Sequence, residues 1–182
     1  MLIEDSKMKY GMVVWKNHER KILLKKYDSI TVLVQQLEEA YHKKSWHGTN
    51  LRGSIRGLSL EQICWRPSSK RHNIWEVVVH CAYWKYIVRR RLTGEKHGSF
   101  PLKGSNFFIR PIDKSESAWK KDVWLLDEMH YFLVEAVKKL SLSDLNKNPK
   151  KSKFTNLQTI SGIAMHDVYH AGQIQLLKRL QK

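Results

Sequence analysis

The 182-residue sequence has only two cysteines, four prolines and nine glycines. Cys64 and Cys81 are too few for a disulfide framework, and their spacing gives no CxxC pair or zinc-finger pattern. No stretch approaches ~18 uninterrupted apolar residues, which argues against a membrane span. The start, Met1 to Asp5, has two acids and no apolar stretch, so we expect no signal peptide and a cytoplasmic location.

Acidic residues are scarce relative to basic ones, with 17 Asp and Glu against 33 Lys and Arg and a net charge of +16. Such a charge attracts anions, including nucleic acid and carboxylate-bearing small molecules. The basic residues are scattered, however, and none forms the long run that marks a basic tail. Without helix-turn-helix spacing or an RNP-like segment, a nucleic-acid or protein-binding module is the rival hypothesis and is not the expected one.

What the sequence does have is helical periodicity. Apolar residues recur at alternating spacings of three and four in four segments, at about 16–41, 73–93, 115–140 and 157–180. No segment has the pattern of a strand. Four long helices with one apolar stripe each predict an all-α four-helix bundle with long loops. We expect this domain to span residues 16–182, after an N-terminal extension over residues 1–15.

The signals between these segments predict where helices begin and end. Asn73, with Glu76 three residues later, forms a capping-box pattern, and Gly94 ends the same helix. Pro67 ends any short helix that begins near Leu60. The loop over residues 95–115 is long and aromatic, which is typical of functional loops, and it is a candidate lid over the end of the bundle.

Histidines interrupt two of the apolar stripes. His166 and His170 are one helical turn apart and share their stripe with Ile163, so both imidazoles are expected to face the bundle interior. His80 lies mid-helix on the side of Val77. Buried imidazoles are costly unless their nitrogens are satisfied, either by a shared cation or by hydrogen bonds to buried partners.

The segment from His166 to His170 is not a thermolysin-like HExxH motif, because Asp167 stands in the second position. We expect Asp167 to face a neighbouring helix or solvent, although it can also orient a ligand imidazole. Cys81, inside a strongly apolar helical segment, is expected to be a buried thiol.

Two motifs together resemble DinB/YfiT-like proteins. They are Trp65-Arg66-Pro67 followed by Asn73-Ile74-x-Glu76-x-x-x-His80, and His166-x-x-x-His170-x-Gly172-Gln173-Ile174. The resemblance covers roughly residue 16 to the C-terminus. It implies a four-helix bundle, commonly a homodimer, in which His80, His166 and His170 bind a divalent metal ion such as zinc or nickel.

Three protein ligands leave a coordination position open, as in catalytic zinc sites, where the ion lowers the pKa of a bound water or thiol. The resemblance then favours a metal-dependent transferase of a low-molecular-weight thiol, as in the bacillithiol and mycothiol S-transferases. Hydrolysis of an amide or ester is the alternative. No residue stands out as a general base. Candidates for the shell behind the ligands are Glu76, His130 and Gln173.

Overall fold

The computed structural model describes residues 28–182 other than residues 97, 99, 150 and 151. In these residues the chain forms α-helices and one 3-10 helix and has no strand. In chain order they are α1 (Ser29–Tyr41), α2 (Leu51–Ser54), α3 (Leu60–Cys64), α4 (Ile74–Thr93), α5 (Glu116–Lys138), the 3-10 helix (Leu142–Asn146) and α6 (Asn156–Arg179). The predicted all-α fold is confirmed.

The four long helices pack so that each contacts two others. Helix α1 packs against α5 and α6, and α4 packs against the same two helices. Helices α1 and α4 are therefore diagonal to each other, and the groove between α4 and α6 lies opposite the groove between α1 and α5. Among the described helices, none combines the length and the apolar character needed to cross a bilayer.

The ends of α4 are those that the sequence predicts. The Asn73 side chain accepts from the Glu76 backbone N–H, and the Glu76 side chain reaches back to the Asn73 backbone. Gly94 ends the helix with φ 70, a left-handed conformation that glycine adopts at little cost. Helix α6 begins with a second capping box, in which Thr155 pairs with Gln158.

Two predicted connections contain short helices, and one predicted helix is described only in part. The connection after Gly48 contains the short helix α2, whose first turn is capped by the Asn50 side chain on the Gly53 backbone N–H. The polar connection after α5 contains the 3-10 helix. The predicted helix over residues 16–41 is described only from Ser29, and its earlier part, like the extension over residues 1–15, lies outside the described residues.

The long loop between α4 and α5 is fastened across the start of α4. The Arg110 backbone carbonyl accepts from Asn73 Nδ2 at 2.8 Å, and Arg110 Nε donates to Asp122 Oδ2 at 2.7 Å. Asp122 also accepts from the indole N–H of Trp75, which is fully buried. These bonds set the position of the loop residues that come just before Arg110.

Candidate metal centre

Three histidines from two helices meet between α4 and α6. His166 Nε2 lies 3.1 Å from His80 Nε2 and 3.1 Å from His170 Nε2. His80 and His170 are buried, and His166 is half-buried. The structure therefore brings together the three residues that the sequence singles out, with one nitrogen of each ring turned inward.

The outer nitrogens show which inner nitrogens carry lone pairs. His80 Nδ1 lies 2.9 Å from the Asn106 carbonyl oxygen, which can only accept, so this nitrogen carries the proton. His170 Nδ1 lies 2.7 Å from Gln173 Oε1, whose amide nitrogen donates to the Tyr169 hydroxyl at 2.8 Å. In the neutral rings of His80 and His170, Nε2 is then an acceptor.

Both of these Nε2 acceptors need a donor, and His166 alone cannot supply two. A single N–H on His166 Nε2 cannot bond well to both neighbouring nitrogens, and His166 Nδ1 is buried without a hydrogen-bond partner among the described residues. One cation among the three Nε2 atoms would bind all three lone pairs, with the His166 ring proton on Nδ1. Tetrahedral zinc with Zn–N of about 2.0–2.1 Å places its nitrogens roughly 3.3 Å apart, close to the observed 3.1 Å. The donor set therefore fits a divalent metal ion.

Burial disfavours the charged form of all three rings. Burial, followed by the neighbouring imidazoles, lowers the pKa of His166 to about 3 and that of His170 to about 4. Burial also lowers the pKa of His80, although the bond to Asn106 opposes this. Neutral imidazoles have the free lone pairs that metal binding requires.

The long loop forms one wall of the site. The Phe107 ring stacks on His80 with centroids 4.0 Å apart and on His72 at 3.7 Å. Asn106, with φ 65, presents its carbonyl to His80 and its Oδ1 to the indole N–H of Trp84 at 3.0 Å. The predicted aromatic loop thus lies over the ligand from α4.

Beside the histidines lies a cavity of about 810 Å³. Its walls are mainly apolar and aromatic, with Val77, Trp84, Phe107, Leu176, Leu177 and Leu180 among them. Arg71 and His72 also line it, and both are exposed. Such a concave, apolar space with a few polar groups is typical of a small-molecule site.

Of the residues expected behind the ligands, Gln173 contacts one and the other two do not. Glu76 receives two hydrogen bonds from Arg66, at 2.6 and 2.7 Å, and lies 3.0 Å from His72 Nδ1. It therefore positions His72 and the start of α4. Burial alone would raise the pKa of its carboxyl, but these hydrogen bonds hold it below the ordinary value.

The expectation for His130 is corrected by the structure. Its ring stacks on Tyr41 with centroids 3.8 Å apart, and its Nδ1 lies 3.5 Å from Lys85 Nζ. The His130 ring lines the α1–α5 groove. It does not reach the cavity between α4 and α6, because none of the described α5 residues borders that cavity. Burial and then Lys85 lower the pKa of His130 to about 2.

Asp167 is buried, not solvent-facing, and forms an ion pair with the fully buried Lys85 of α4. Sequence reasoning missed Lys85, although its spacing of four from Cys81 places it on the buried face of α4. Cys81 itself is fully buried, as expected. The contact of His72 with Phe107 could not be predicted from the sequence, because it depends on the path of the loop.

Fold and site together define an all-helical protein with three convergent histidines that can hold a metal ion. The chain matches the DinB superfamily over residues 45–174, more than two thirds of its length, and it belongs to that superfamily. The predicted resemblance is confirmed over this narrower range. Comparison with curated proteins and with solved structures found no match.

Proposed function

We propose that this chain is a metal-dependent S-transferase that joins a low-molecular-weight thiol to an electrophilic small molecule. His80, His166 and His170 would hold a zinc or nickel ion. The observation that carries the proposal is the convergence of three Nε2 atoms, 3.1 Å apart in two of the pairs, beside a cavity of about 810 Å³. A purely structural zinc site is usually closed by a fourth protein ligand, and here no fourth His, Cys, Asp or Glu of the described residues is grouped with all three histidines.

A metal ion in this position would lower the pKa of a thiol or water bound to it. The chain's own residues orient the ligands and enclose the reactants. Asn106 and Gln173 fix two of the three imidazoles through their Nδ1 protons. Phe107, Trp84 and the leucines of α6 present apolar surface to the body of an electrophile.

The cavity favours thiol transfer over hydrolysis. Hydrolytic metalloenzymes commonly use a carboxylate as general base, and none of the described residues that line this cavity is Asp or Glu. Glu76 is held by Arg66. In a thiol transfer the sulfur forms a bond to the electrophilic carbon, the leaving group departs with the bonding electrons, and the thiol proton passes to solvent.

The rim of the cavity suits an anionic thiol. Arg71 lines the cavity, and its side chain forms no ion pair with a described residue. Its guanidinium can bind a carboxylate of the thiol. The net charge of +16 acts in the same direction at long range.

The test uses the full chain, purified without chelator and without a metal-affinity resin. We expect elemental analysis to find bound metal, with one equivalent lost in His166→Ala. Turnover of 1-chloro-2,4-dinitrobenzene with bacillithiol or cysteine should depend on the thiol and fall at least a hundredfold in His80→Ala. The exposed His47→Ala is the matched control and should leave both quantities unchanged.

Two results would contradict the proposal. Metal-loaded protein that hydrolyses a model ester but transfers no thiol supports the hydrolase alternative. Salt-dependent binding to random duplex DNA, unaffected by His80→Ala and without any turnover, supports the nucleic-acid-binding alternative.

A further inference from the structure

A second group of metal-ligating side chains lies in the opposite groove, between α1 and α5. Glu38 and His42 are one turn apart at the end of α1, and His130 faces them from α5. His42 Nδ1 is 3.4 Å and His130 Nε2 is 3.9 Å from Glu38 Oε2. All three donor atoms lie within 4.8 Å of one another.

Two of these atoms are buried without a hydrogen-bond partner among the described residues, namely Glu38 Oε2 and His130 Nε2. The His130 side chain is only 6% exposed. At 3.9 Å the two atoms are too far apart to bond to each other. A buried carboxylate oxygen facing a buried imidazole nitrogen across such a gap is costly unless something lies between them.

We propose that Glu38, His42 and His130 bind a second divalent metal ion, of the zinc or nickel type. Two imidazole nitrogens and one carboxylate oxygen form a donor set that zinc adopts in catalytic sites, with a further position open. These residues line a separate cavity of about 710 Å³ together with Tyr41, Arg52 and Asp127. This proposal does not depend on the function of the first site.

Two lysines make the second site weaker than the first. Lys43 Nζ lies 3.9 Å from Glu38 Oε2 and competes with the metal for that oxygen. Binding through His130 Nε2 places the ring proton on Nδ1, where Lys85 Nζ lies 3.5 Å away. Lys85 is held by Asp167, so its protons can point away from the ring. In the three-histidine site Asn106 and Gln173 accept the corresponding protons.

The experiment titrates metal-free full chain with Zn²⁺ in a calorimeter and measures bound metal after gel filtration. We expect two ions per chain, the second at least tenfold weaker. Glu38→Gln should remove only the weaker site, and His166→Ala only the tighter one. His42→Ala is the variant that protects the test from misfolding, because the His42 side chain is 47% exposed. His47→Ala should bind as the wild type does.

A wild-type chain that binds one ion, lost in His166→Ala and unchanged in Glu38→Gln and His42→Ala, would overturn the second site and leave the first intact. Two ions that both persist in Glu38→Gln and His42→Ala would also overturn it. Loss of the weaker ion in both of these variants, with thiol turnover unaffected, would support the second site whatever the reaction at the first.

Discussion

The two faces of the bundle bury histidines in different ways. Between α4 and α6, three imidazoles point at one another, and the outer protons of two are taken by a loop carbonyl and a glutamine. Between α1 and α5, His130 lies between a lysine and a carboxylate, stacked on a tyrosine. Burial alone therefore does not decide how well a histidine binds a metal ion. The groups that bind its outer nitrogen decide where its lone pair points.

Between the two grooves lies the Lys85–Asp167 ion pair, in which both side chains are fully buried. Burial raises the pKa of the Asp167 carboxyl, although Lys85 opposes the rise. Asp167 follows His166 directly in the chain. One turn of α6 therefore contains both a candidate metal ligand and a member of the buried ion pair. The pair separates the grooves and joins α4 to α6.

We expect the largest effect from removing the Lys85 charge that pairs with Asp167 between the two grooves. Lys85→Met leaves Asp167 as an uncompensated buried charge and should lower the free energy of unfolding by about 4 kcal/mol. Urea denaturation of the metal-free chain at pH 7 measures it. The exposed Lys121→Met is the control and should change stability by less than about 0.5 kcal/mol. Recovery of most of the loss in Lys85→Met/Asp167→Leu would confirm the mechanism, and equal losses in the single and double variants would contradict it.

We expect a smaller loss of stability from a change where the α4–α5 loop meets the start of α4, since this loop covers the three-histidine face and not the α1–α5 groove. Glu76→Gln weakens the bonds to Arg66 and His72 and should lower the free energy of unfolding by about 2 kcal/mol at pH 7. The loss is smaller than for Lys85→Met because Arg66 is partly exposed and solvent screens its charge. The folded pKa of Glu76 lies below its ordinary value of 4.5, so the stabilisation is complete above that pH and is lost as the pH falls further.

Denaturation curves for both chains at several pH values between 7 and 3 test this dependence. The two chains should converge in stability as the pH falls below 4.5. A gap that stays constant down to pH 3 would show that the Glu76 charge contributes nothing.

We expect the smallest effect from removing the group that accepts the His170 Nδ1 proton. In the α1–α5 groove, His130 Nδ1 has no such acceptor among the described residues and lies beside Lys85 Nζ. Gln173→Leu removes the acceptor 2.7 Å from His170 Nδ1 and should weaken Zn²⁺ binding at the three-histidine site about tenfold. Competition with a coloured chelator measures the affinity. Gln175→Leu, a neighbouring position that does not line the cavity, is the control. Unchanged affinity in Gln173→Leu would mean that His170 is oriented by packing alone.

Much of the first site could be predicted from residues alone. The capping box at Asn73 fixes where α4 begins, and the three histidines interrupt helical stripes whose inward faces follow from a period of 3.6. The resemblance added that His80 joins the pair on the last helix. The loop contacts could not be predicted, because Asn106 and Phe107 reach His80 across 26 and 27 positions of irregular chain.

What the sequence determined by itself is the local order: which segments are helical, where their caps lie, and which side of each helix is apolar. Only the tertiary structure decided which buried polar groups meet, placing His130 in one groove and His80 in the other and pairing Lys85 with Asp167. The physical reason is that periodicity and capping act within a few residues along one helix. The direction of a lone pair depends on partners from other elements, and those are known only once the bundle is packed.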